Sequence, residues 1–220
     1  MRTFAFLALL GWGVLLAGED ALAQTASPTP APAPEAEAPA RAWSFSAAGY
    51  AYLLPDESEY AQPAFTADRG KLHLEARYNY EGRETASAWI GYNLSFGEEV
   101  TFDLTPMIGG VFGDTDGIAP GYRFSLGWRM LELVSESEYV FDSRGSQDSF
   151  FYTWSELAWA PSDWVRLGMV VQRTRAYQTE LDIQRGFLVG VSWKKASFTT
   201  YVFNPDTDRT TVVLGLVLDF

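Results

Sequence analysis

The sequence lacks several features that would point to common function classes. It contains no cysteine, which excludes a disulfide scaffold, a Cys-ligated zinc or iron–sulfur site and a lipidated cysteine. After residue 20 there is no run of 18 apolar residues, so no helical membrane span is expected in the rest of the chain. The 16 basic residues are outnumbered by 28 acidic ones, and the net charge of -12 argues against general nucleic-acid binding.

Aromatic residues, in contrast, are abundant. They make up 15% of a chain in which 47% of the residues are hydrophobic and 20% are charged. This composition excludes a disordered acidic tail. The rings are spread among polar residues rather than collected in apolar runs, and the predicted fold has to account for that spacing.

The first 42 residues are predicted to precede the folded domain. A basic start, an apolar run over 4–17 and Ala-Leu-Ala at 21–23 are typical of a secretory signal peptide, residues 1–23. An amphipathic first helix is the alternative, but the run is apolar on all sides. Residues 24–42 contain five prolines among alanines, which favours an extended periplasmic spacer and a candidate binding segment for a periplasmic partner. Residues 43–220 remain as the folded domain.

This domain alternates between apolar and polar residues with a period of two, which indicates β-strands. In 211–220 the even positions are Val212, Leu214, Leu216, Leu218 and Phe220, whereas the odd positions include threonine, glycine and aspartate. A soluble β-sandwich alternates in the same way, so alternation alone leaves that fold open.

The spacing of aromatic residues favours a membrane barrel over the sandwich. Phe65, Phe96, Trp128, Trp159 and Trp193 follow one another at intervals of 31 to 34 residues, each shortly before a short polar turn. One such unit is a hairpin whose strands have the length of tilted β-strands that cross a bilayer. The sequence therefore predicts an all-β fold, a transmembrane antiparallel up-and-down β-barrel with short turns at one end.

The hairpin rhythm predicts twelve strands. Their expected ranges are 43–53, 59–66, 70–80, 85–96, 99–112, 120–130, 132–142, 149–160, 163–175, 184–193, 196–204 and 209–220. Pro63 and Pro106 each remove a backbone donor, so we expect bulges at these positions. If the second strand fails to form, ten strands are the alternative.

Amphipathic rings prefer the headgroup level of a bilayer, which predicts an aromatic girdle at the periplasmic rim. Its expected members are Phe96, Trp128, Trp159, Trp193 and Phe220. Further rings are expected toward the outer rim: Tyr78, Tyr80, Tyr122, Tyr139, Phe141, Phe151 and Tyr201.

The phase of the alternation assigns charged side chains to the lumen, because a charge at the bilayer midplane costs roughly 2–4 kcal/mol. The predicted lumen network consists of Lys71, His73, Glu75, Arg77, Asp103, Arg123, Arg129, Glu132, Glu136, Glu138, Glu156 and Arg166. Two interpretations stay open. The charges form either a satisfied ion-pair network that fills the lumen or a charged constriction in a water-filled channel.

Catalysis has little support in the sequence. His73 is the only histidine, no G-x-S-x-G motif occurs, and the inward phase of His73 keeps it away from lipid acyl chains. Glu136 and Glu138 are too generic a pair for acid–base chemistry, and GDTDG at 113–117 lacks the downstream glutamate of a calcium loop. We therefore predict neither a catalytic set, nor a metal site, nor a cofactor.

The last ten residues, Thr211 to Phe220, resemble the C-terminal strand of bacterial outer-membrane β-barrel proteins, in which apolar residues alternate up to a terminal phenylalanine. The resemblance implies a location in the outer membrane of a Gram-negative envelope, contact with its lipids and lipopolysaccharide, and recognition of the strand by the barrel-assembly machinery. It is architectural and does not specify an activity.

Three hypotheses for the function follow. The leading one is a monomeric porin-like channel for polar solutes with a charged lumen. The second is a non-conducting structural or scaffold barrel of the envelope, and the third is a lipid-acting outer-membrane enzyme that uses His73.

Overall fold

The computed structural model describes residues 42–55, 58–145, 148–176 and 182–220. The predicted signal peptide and all but the last residue of the predicted spacer lie outside these ranges. The described residues form thirteen β-strand segments joined by turns and loops. Within these ranges, no helix reaches the length and apolarity that a membrane crossing requires.

The strand segments follow one another as an antiparallel meander. They are β1 (Ser44–Leu53), β2 (Tyr60–Arg69), β3 (Leu72–Tyr78), β4 (Thr85–Tyr92), β5 (Leu94–Phe96), β6 (Val100–Gly113), β7 (Gly117–Trp128), β8 (Leu131–Asp142), β9 (Phe150–Ser162), β10 (Val165–Ala176), β11 (Asp182–Trp193), β12 (Ala196–Phe203) and β13 (Thr211–Asp219). Each segment pairs with its neighbours in sequence, except that β4 and β5 both pair with β6 and not with each other, and β1 also pairs with β13, which closes the sheet into a barrel.

The barrel has twelve strands, because β4 and β5 are two parts of one strand. Both pair with β6 in a single register, with Gly91 opposite Met107 and Leu94 opposite Leu104. The prediction of twelve strands is confirmed, and the alternative of ten is wrong. Closure satisfies the backbone groups that an open sheet edge would leave unpaired in lipid.

The prolines affect pairing differently from the prediction. Pro63 stays in register opposite Gly49, and Pro106 stays in register opposite Tyr122, so neither produces the expected bulge. The missing donor of Pro106 instead coincides with the interruption between β4 and β5 on the other side of β6. A register shift occurs in β10, between Val165 and Leu167.

The two ends of the barrel differ in the length of their connections. The β2–β3, β5–β6, β7–β8, β9–β10 and β11–β12 connections have two or three residues, and we call this the turn end. The other end, the loop end, carries connections such as 54–59, 79–84 and 204–210. The second strand runs to Arg69 rather than to residue 66, so its turn consists of Gly70 and Lys71 rather than ADRG.

Alternation along the strands separates an apolar exterior from a polar interior. In β13, Leu216 and Leu218 are exposed on the outside, whereas Val213 and Gly215 are buried inside. In β3, His73, Glu75 and Arg77 are buried between outward-facing Leu72 and Tyr78. The fully buried side chains of the barrel therefore lie in the lumen, whereas the outer face is apolar and exposed.

Candidate functional site: the barrel lumen

Ten of the twelve side chains predicted for the lumen network lie on the inward face of the barrel. They are His73, Glu75, Arg77, Asp103, Arg123, Glu132, Glu136, Glu138, Glu156 and Arg166. Two others were assigned wrongly. Lys71 and Arg129 are exposed in the β2–β3 and β7–β8 turns, because the predicted strands extended through residues that the chain uses to reverse direction.

Arg77 is the centre of an ion-pair cluster that crosses the lumen. From β3 its Nη1 lies 2.9 Å from Glu138 Oε2 and 3.0 Å from Glu136 Oε1, and both partners belong to β8. Its Nε lies 2.9 Å from Glu75 Oε1. Strands β4, β6 and β7 separate β3 from β8 in the wall, so these contacts span the barrel interior rather than joining neighbours.

Arg123 joins the same cluster from β7. Its Nη2 lies 2.6 Å from Glu75 Oε1 and its Nε lies 2.7 Å from Glu136 Oε2. Glu75 and Glu136 are therefore each shared by two guanidinium groups. The side chains of Arg77 and Glu75 are 0% exposed, so water does not reach the centre of the cluster.

Two residues near the β3–β4 loop cover Arg77 from the loop end. Its guanidinium lies 4.5 Å from the ring centre of Tyr80 and 4.6 Å from that of Trp89. Glu81 turns inward as well. Its Oε1 accepts hydrogen bonds from Ser87 Oγ at 2.6 Å and from Trp89 Nε1 at 3.2 Å.

Burial raises the pKa of the Glu81 carboxyl above its usual value, although Arg77 and the donors on Ser87 and Trp89 oppose that rise. Its second oxygen, Oε2, has no hydrogen-bond partner and is buried, and the same is true of Glu138 Oε1. Sequence reasoning missed Glu81 and placed Tyr80 toward the lipid, because alternation does not apply to a loop that folds back into the barrel.

A second charged group surrounds His73 in the turn-side half. His73 Nδ1 lies 2.8 Å from Asp68 Oδ1, and Nε2 lies 3.4 Å from Glu75 Oε2. Asp68 also accepts a hydrogen bond from Asn93 Nδ2 at 2.7 Å, and Asn93 accepts one from Thr105 Oγ1. Because carboxylates face both ring nitrogens, neither nitrogen is placed to activate a hydroxyl nucleophile.

Arg166 of β10 forms a third group on the opposite wall. Its Nη2 lies 2.9 Å from Glu156 Oε2, and its Nε lies 3.6 Å from Glu132 Oε2. Trp154 Nε1 donates to the other oxygen of Glu156 at 2.8 Å. This indole hydrogen bond connects the charged groups to an aromatic cluster.

The aromatic cluster fills the loop-side half of the lumen next to the Arg77 cluster. Trp154 of β9 packs edge-on against Tyr201 and Phe203 of β12, with ring centres 5.1 and 5.2 Å apart. Tyr52 and Leu188 belong to the same buried set, together with Ala158, Val170 and Val213. A smaller apolar cluster contains Trp89, Met107, Val111, Ala119 and Val140. The prediction that Tyr201 faces lipid at the outer rim is wrong, because its odd position in β12 points inward.

The inward side chains of three strands become larger from the turn end to the loop end. From the turn end to the loop end, the inward residues of β1 are Ser46, Ala48, Tyr50 and Tyr52, and those of β12 are Ser197, Thr199, Tyr201 and Phe203. Strand β9 follows the same order, from Ala160 to Tyr152. The sequence contains this gradient, and reading inward positions by volume would have revealed it.

The lumen contains a cavity of about 200 Å³, which we call the vestibule and which extends from the small residues of the turn-side half to Tyr52 and Tyr80 on the loop side. Its lining includes Ser46, Asp103, Glu132, Arg166 and Ser197. Inward residues become partly exposed toward the turn end, as Val217 and Asp219 show after buried Val213. The vestibule therefore opens at the turn end and is closed at the loop end.

The inward face carries more negative than positive groups. The groups described above include eight carboxylates and three guanidinium groups, with His73 as a further base. The carboxylates are Asp68, Glu75, Glu81, Asp103, Glu132, Glu136, Glu138 and Glu156. Among the described residues, no group of three or more potential ligands is arranged to hold a metal ion.

The predicted girdle residues occupy the outer face near the turn end. Phe96, Trp128, Trp159, Trp193 and Phe220 are all exposed, and Trp193 is the most exposed at 74%. The backbone N–H of Phe220 donates to the carbonyl of Phe45 at 2.9 Å, which fixes the last residue beside the first strand. Their contact with a membrane interface stays a prediction.

A closed antiparallel barrel with an apolar exterior and a charged interior is the fold of the bacterial outer-membrane β-barrels. Two solved structures share it. One is a KdgM porin, with a TM-score of 0.57 and 11% sequence identity over 80% of this chain and 99% of that chain. The other is a KdgM porin in complex with disordered oligogalacturonate, with a TM-score of 0.58 and 10% identity over the same shares. No family model and no curated protein matches the sequence.

Proposed function

We propose that this protein is a porin-like channel of the bacterial outer membrane that passes small cations and small polar solutes in preference to anions. The observation that carries the proposal is the excess of carboxylates over guanidinium groups on the inward face. A lumen with low-dielectric walls focuses the field of such an excess, so cations enrich inside it and anions are repelled.

The same charge pattern argues against the ligand of the similar structure as a solute of this channel. An oligogalacturonate carries a carboxylate on each sugar, and a KdgM porin was solved in complex with this polyanion. In this chain the basic groups of the lumen already contact carboxylates, as Arg77 and Arg123 show. A polyanion entering the lumen would face an excess of like charge, so we do not expect it as a substrate.

The described conformation corresponds to a closed channel. Solutes entering the vestibule reach the Arg77 cluster and the aromatic cluster, both of which are buried. Opening has to separate and hydrate the ion pairs of the Arg77 cluster and to displace the aromatic cluster, so the open form is the minor one. The channel then conducts in brief, rare openings.

The proposal also includes a location and an assembly route. After removal of residues 1–23, the spacer 24–42 extends into the periplasm and the barrel lies in the outer membrane among phospholipid and lipopolysaccharide. The barrel-assembly machinery recognises the strand that ends at Phe220. The exposed apolar exterior and the twelve closed strands support this placement.

Planar-bilayer recordings of the refolded full barrel in an asymmetric KCl gradient test the proposal. The expected result is brief openings whose reversal potential is shifted from zero toward the equilibrium potential of K⁺. Added oligogalacturonate at the same ionic strength should leave these currents unblocked. A reversal potential shifted toward the equilibrium potential of Cl⁻ would refute the cation selectivity. A stable barrel without any openings would refute the proposed channel.

A closed scaffold barrel is the second candidate, because one half of the lumen is filled by side chains with almost no exposure. Phe203, Val111 and Val140 are 0% exposed. Under this alternative, neither the native protein nor a variant with a weakened Arg77 cluster conducts. A lipid-acting enzyme has no comparable support, since carboxylates occupy both nitrogens of His73.

A further inference from the structure

Three of the five connections at the turn end combine basic residues with aromatic rings. The β2–β3 connection has Lys71 and follows Arg69, the last residue of β2; the β7–β8 connection has Arg129, and the β11–β12 connection has Lys194 and Lys195. We call these the basic turns. The chain has three lysines, and all of them are in basic turns.

Each basic turn places a cation over a ring. Arg69 Cζ lies 5.8 Å from the ring centre of Trp43, and Lys71 Nζ lies 5.3 Å from that of Tyr92. The corresponding distances are 4.9 Å for Arg129 over Trp128 and 4.8 Å for Lys194 over Trp193. All of these distances are within the range of cation–π attraction.

The rings determine where the cations are. Trp43, Tyr92, Trp128 and Trp193 are exposed on the outer face of the barrel. A cation held over an outward-facing ring lies outside the barrel wall, at the level of the ring, and not above the mouth of the lumen. The four cations are exposed as well, so they remain accessible to a ligand that surrounds the barrel.

The backbone provides a second, independent observation. Arg129 and Lys194 have positive φ angles of 55° and 56°, a conformation that favours glycine or asparagine in a tight hairpin turn. A long basic side chain is conformationally unfavourable there. The side chains of Arg129 and Lys194 lie over the outward-facing rings of Trp128 and Trp193, so these turns present their charge at the outer face, where a ligand around the barrel can reach it.

The charges of the turn end are grouped rather than spread evenly. The two remaining connections contain acidic residues and no basic ones, with Glu98 and Glu99 in 97–99 and Asp163 in 163–164. Basic and acidic turns therefore alternate along the chain, and the two basic turns at β2–β3 and β11–β12 lie on either side of the β13–β1 pair. This arrangement produces three separate positive sites instead of a uniformly basic surface.

We propose that the three basic turns bind the headgroups of anionic phospholipids in the leaflet that surrounds the turn end of the barrel. Aromatic rings at a bilayer interface lie at headgroup depth, which places the stacked cations level with the lipid phosphates. Water screens the attraction between cation and phosphate less at this depth, and each basic group near an anionic surface strengthens binding about fivefold. The inference rests on the proposed membrane location but not on conduction.

Quenching of tryptophan fluorescence by brominated lipids tests this directly, because Trp128 and Trp193 belong to the proposed sites. The full barrel is refolded into vesicles of brominated phosphatidylglycerol mixed with phosphatidylcholine, and the relative binding constant of the two lipids is derived from the quenching. For the native protein we expect a preference of about fivefold or more for phosphatidylglycerol, decreasing with added salt.

The test variant replaces all five basic residues by glutamine: R69Q, K71Q, R129Q, K194Q and K195Q. Its expected relative binding constant is close to one. The matched control removes three exposed cations from the loop end, R144Q/R185Q/R209Q, and should keep the native preference.

Several outcomes would overturn the proposal. They are a native protein without lipid preference, a test variant that keeps the preference, or a control that loses it. Resistance of the barrel to unfolding by SDS at room temperature shows that each variant has folded. Single-channel recordings of the same samples separate the two proposals, because a conducting barrel without lipid preference refutes only the lipid sites.

Discussion

Removing the Arg77 guanidinium should both destabilise the barrel and open its lumen. In Arg77→Ala, Glu75, Glu136 and Glu138 lose a partner at 2.9 to 3.0 Å, and Glu81 loses one at 3.6 Å. Removing one member of a buried ion pair costs about 3–5 kcal/mol, because the remaining charge stays uncompensated. Here four carboxylates share the loss, while Arg123 still compensates two of them. We therefore expect the free energy of unfolding to fall by at least about 3 kcal/mol.

The carboxylates can lower this cost by taking up water, and hydration of the cluster opens the path from the vestibule to the loop end. Urea unfolding in vesicles measures the stability, and bilayer recordings of the same preparation measure open probability. The open probability should rise by one or more orders of magnitude, with stronger cation selectivity. Arg77→Lys should give an intermediate result, since the ammonium keeps the charge but lacks the planar fork that binds several carboxylates.

Arg209→Ala is the matched control, because Arg209 is an exposed arginine of the loop end. It should change neither stability nor conductance. The double variant Arg77→Met/Glu138→Gln removes charges of both signs and should recover part of the lost stability. If Arg77→Ala matches Arg209→Ala in unfolding and in conductance, the Arg77 cluster neither stabilises the barrel nor closes it, and the reasoning is refuted.

Three further perturbations address other parts of the lumen. Because burial raises the pKa of Glu81, its neutral carboxyl stabilises the inward position of the β3–β4 loop. This contribution is complete below the usual pKa of 4.5 and is lost as the pH rises through the higher pKa of the folded state. Glu81→Gln should therefore weaken the increase of open probability with pH, and an unchanged pH profile would contradict this. Phe203→Ala removes a fully buried ring of the aromatic cluster, so urea unfolding should show a free energy of unfolding lower by about 3–5 kcal/mol, and channel openings should become longer. Openings of native length would show that this cluster does not close the lumen. A Cβ at position 109 would overlap the indole of Trp89, so Gly109→Ala should displace this ring and cost about 1–3 kcal/mol, and an unchanged near-ultraviolet circular dichroism spectrum would argue against the packing.

Much of the wall of the barrel could be predicted from the sequence, because a membrane barrel enforces strict alternation over long distances. An error of one residue in phase would turn Glu75 or Arg77 toward lipid, so their inward assignment was robust. The same logic failed at Lys71 and Arg129. There the chain reverses, and alternation no longer determines the direction of a side chain.

The contents of the lumen were less predictable than its wall. Alternation indicates that Arg77 and Glu138 point inward but not that they meet, since β3 and β8 are separated by three strands in the wall. Contacts across the lumen depend on strand tilt and shear, which the sequence pattern does not contain. The inward fold of Glu81 also depends on tertiary hydrogen bonds, to Ser87 and Trp89.

The choice of charges rather than apolar side chains to close part of the lumen has an energetic consequence. An apolar filling would make every opening expose hydrocarbon surface to water, at about 25 cal/mol per Å². Buried ion pairs are close to neutral in net stability, because the cost of desolvating the charges offsets much of their attraction. Hydration of the separated groups in an opened lumen recovers that desolvation cost. A barrel closed by the Arg77 cluster is thus easier to open than one closed only by rings such as Trp154 and Phe203, and we expect openings to begin on the side of the lumen where β3, β7 and β8 supply the charges.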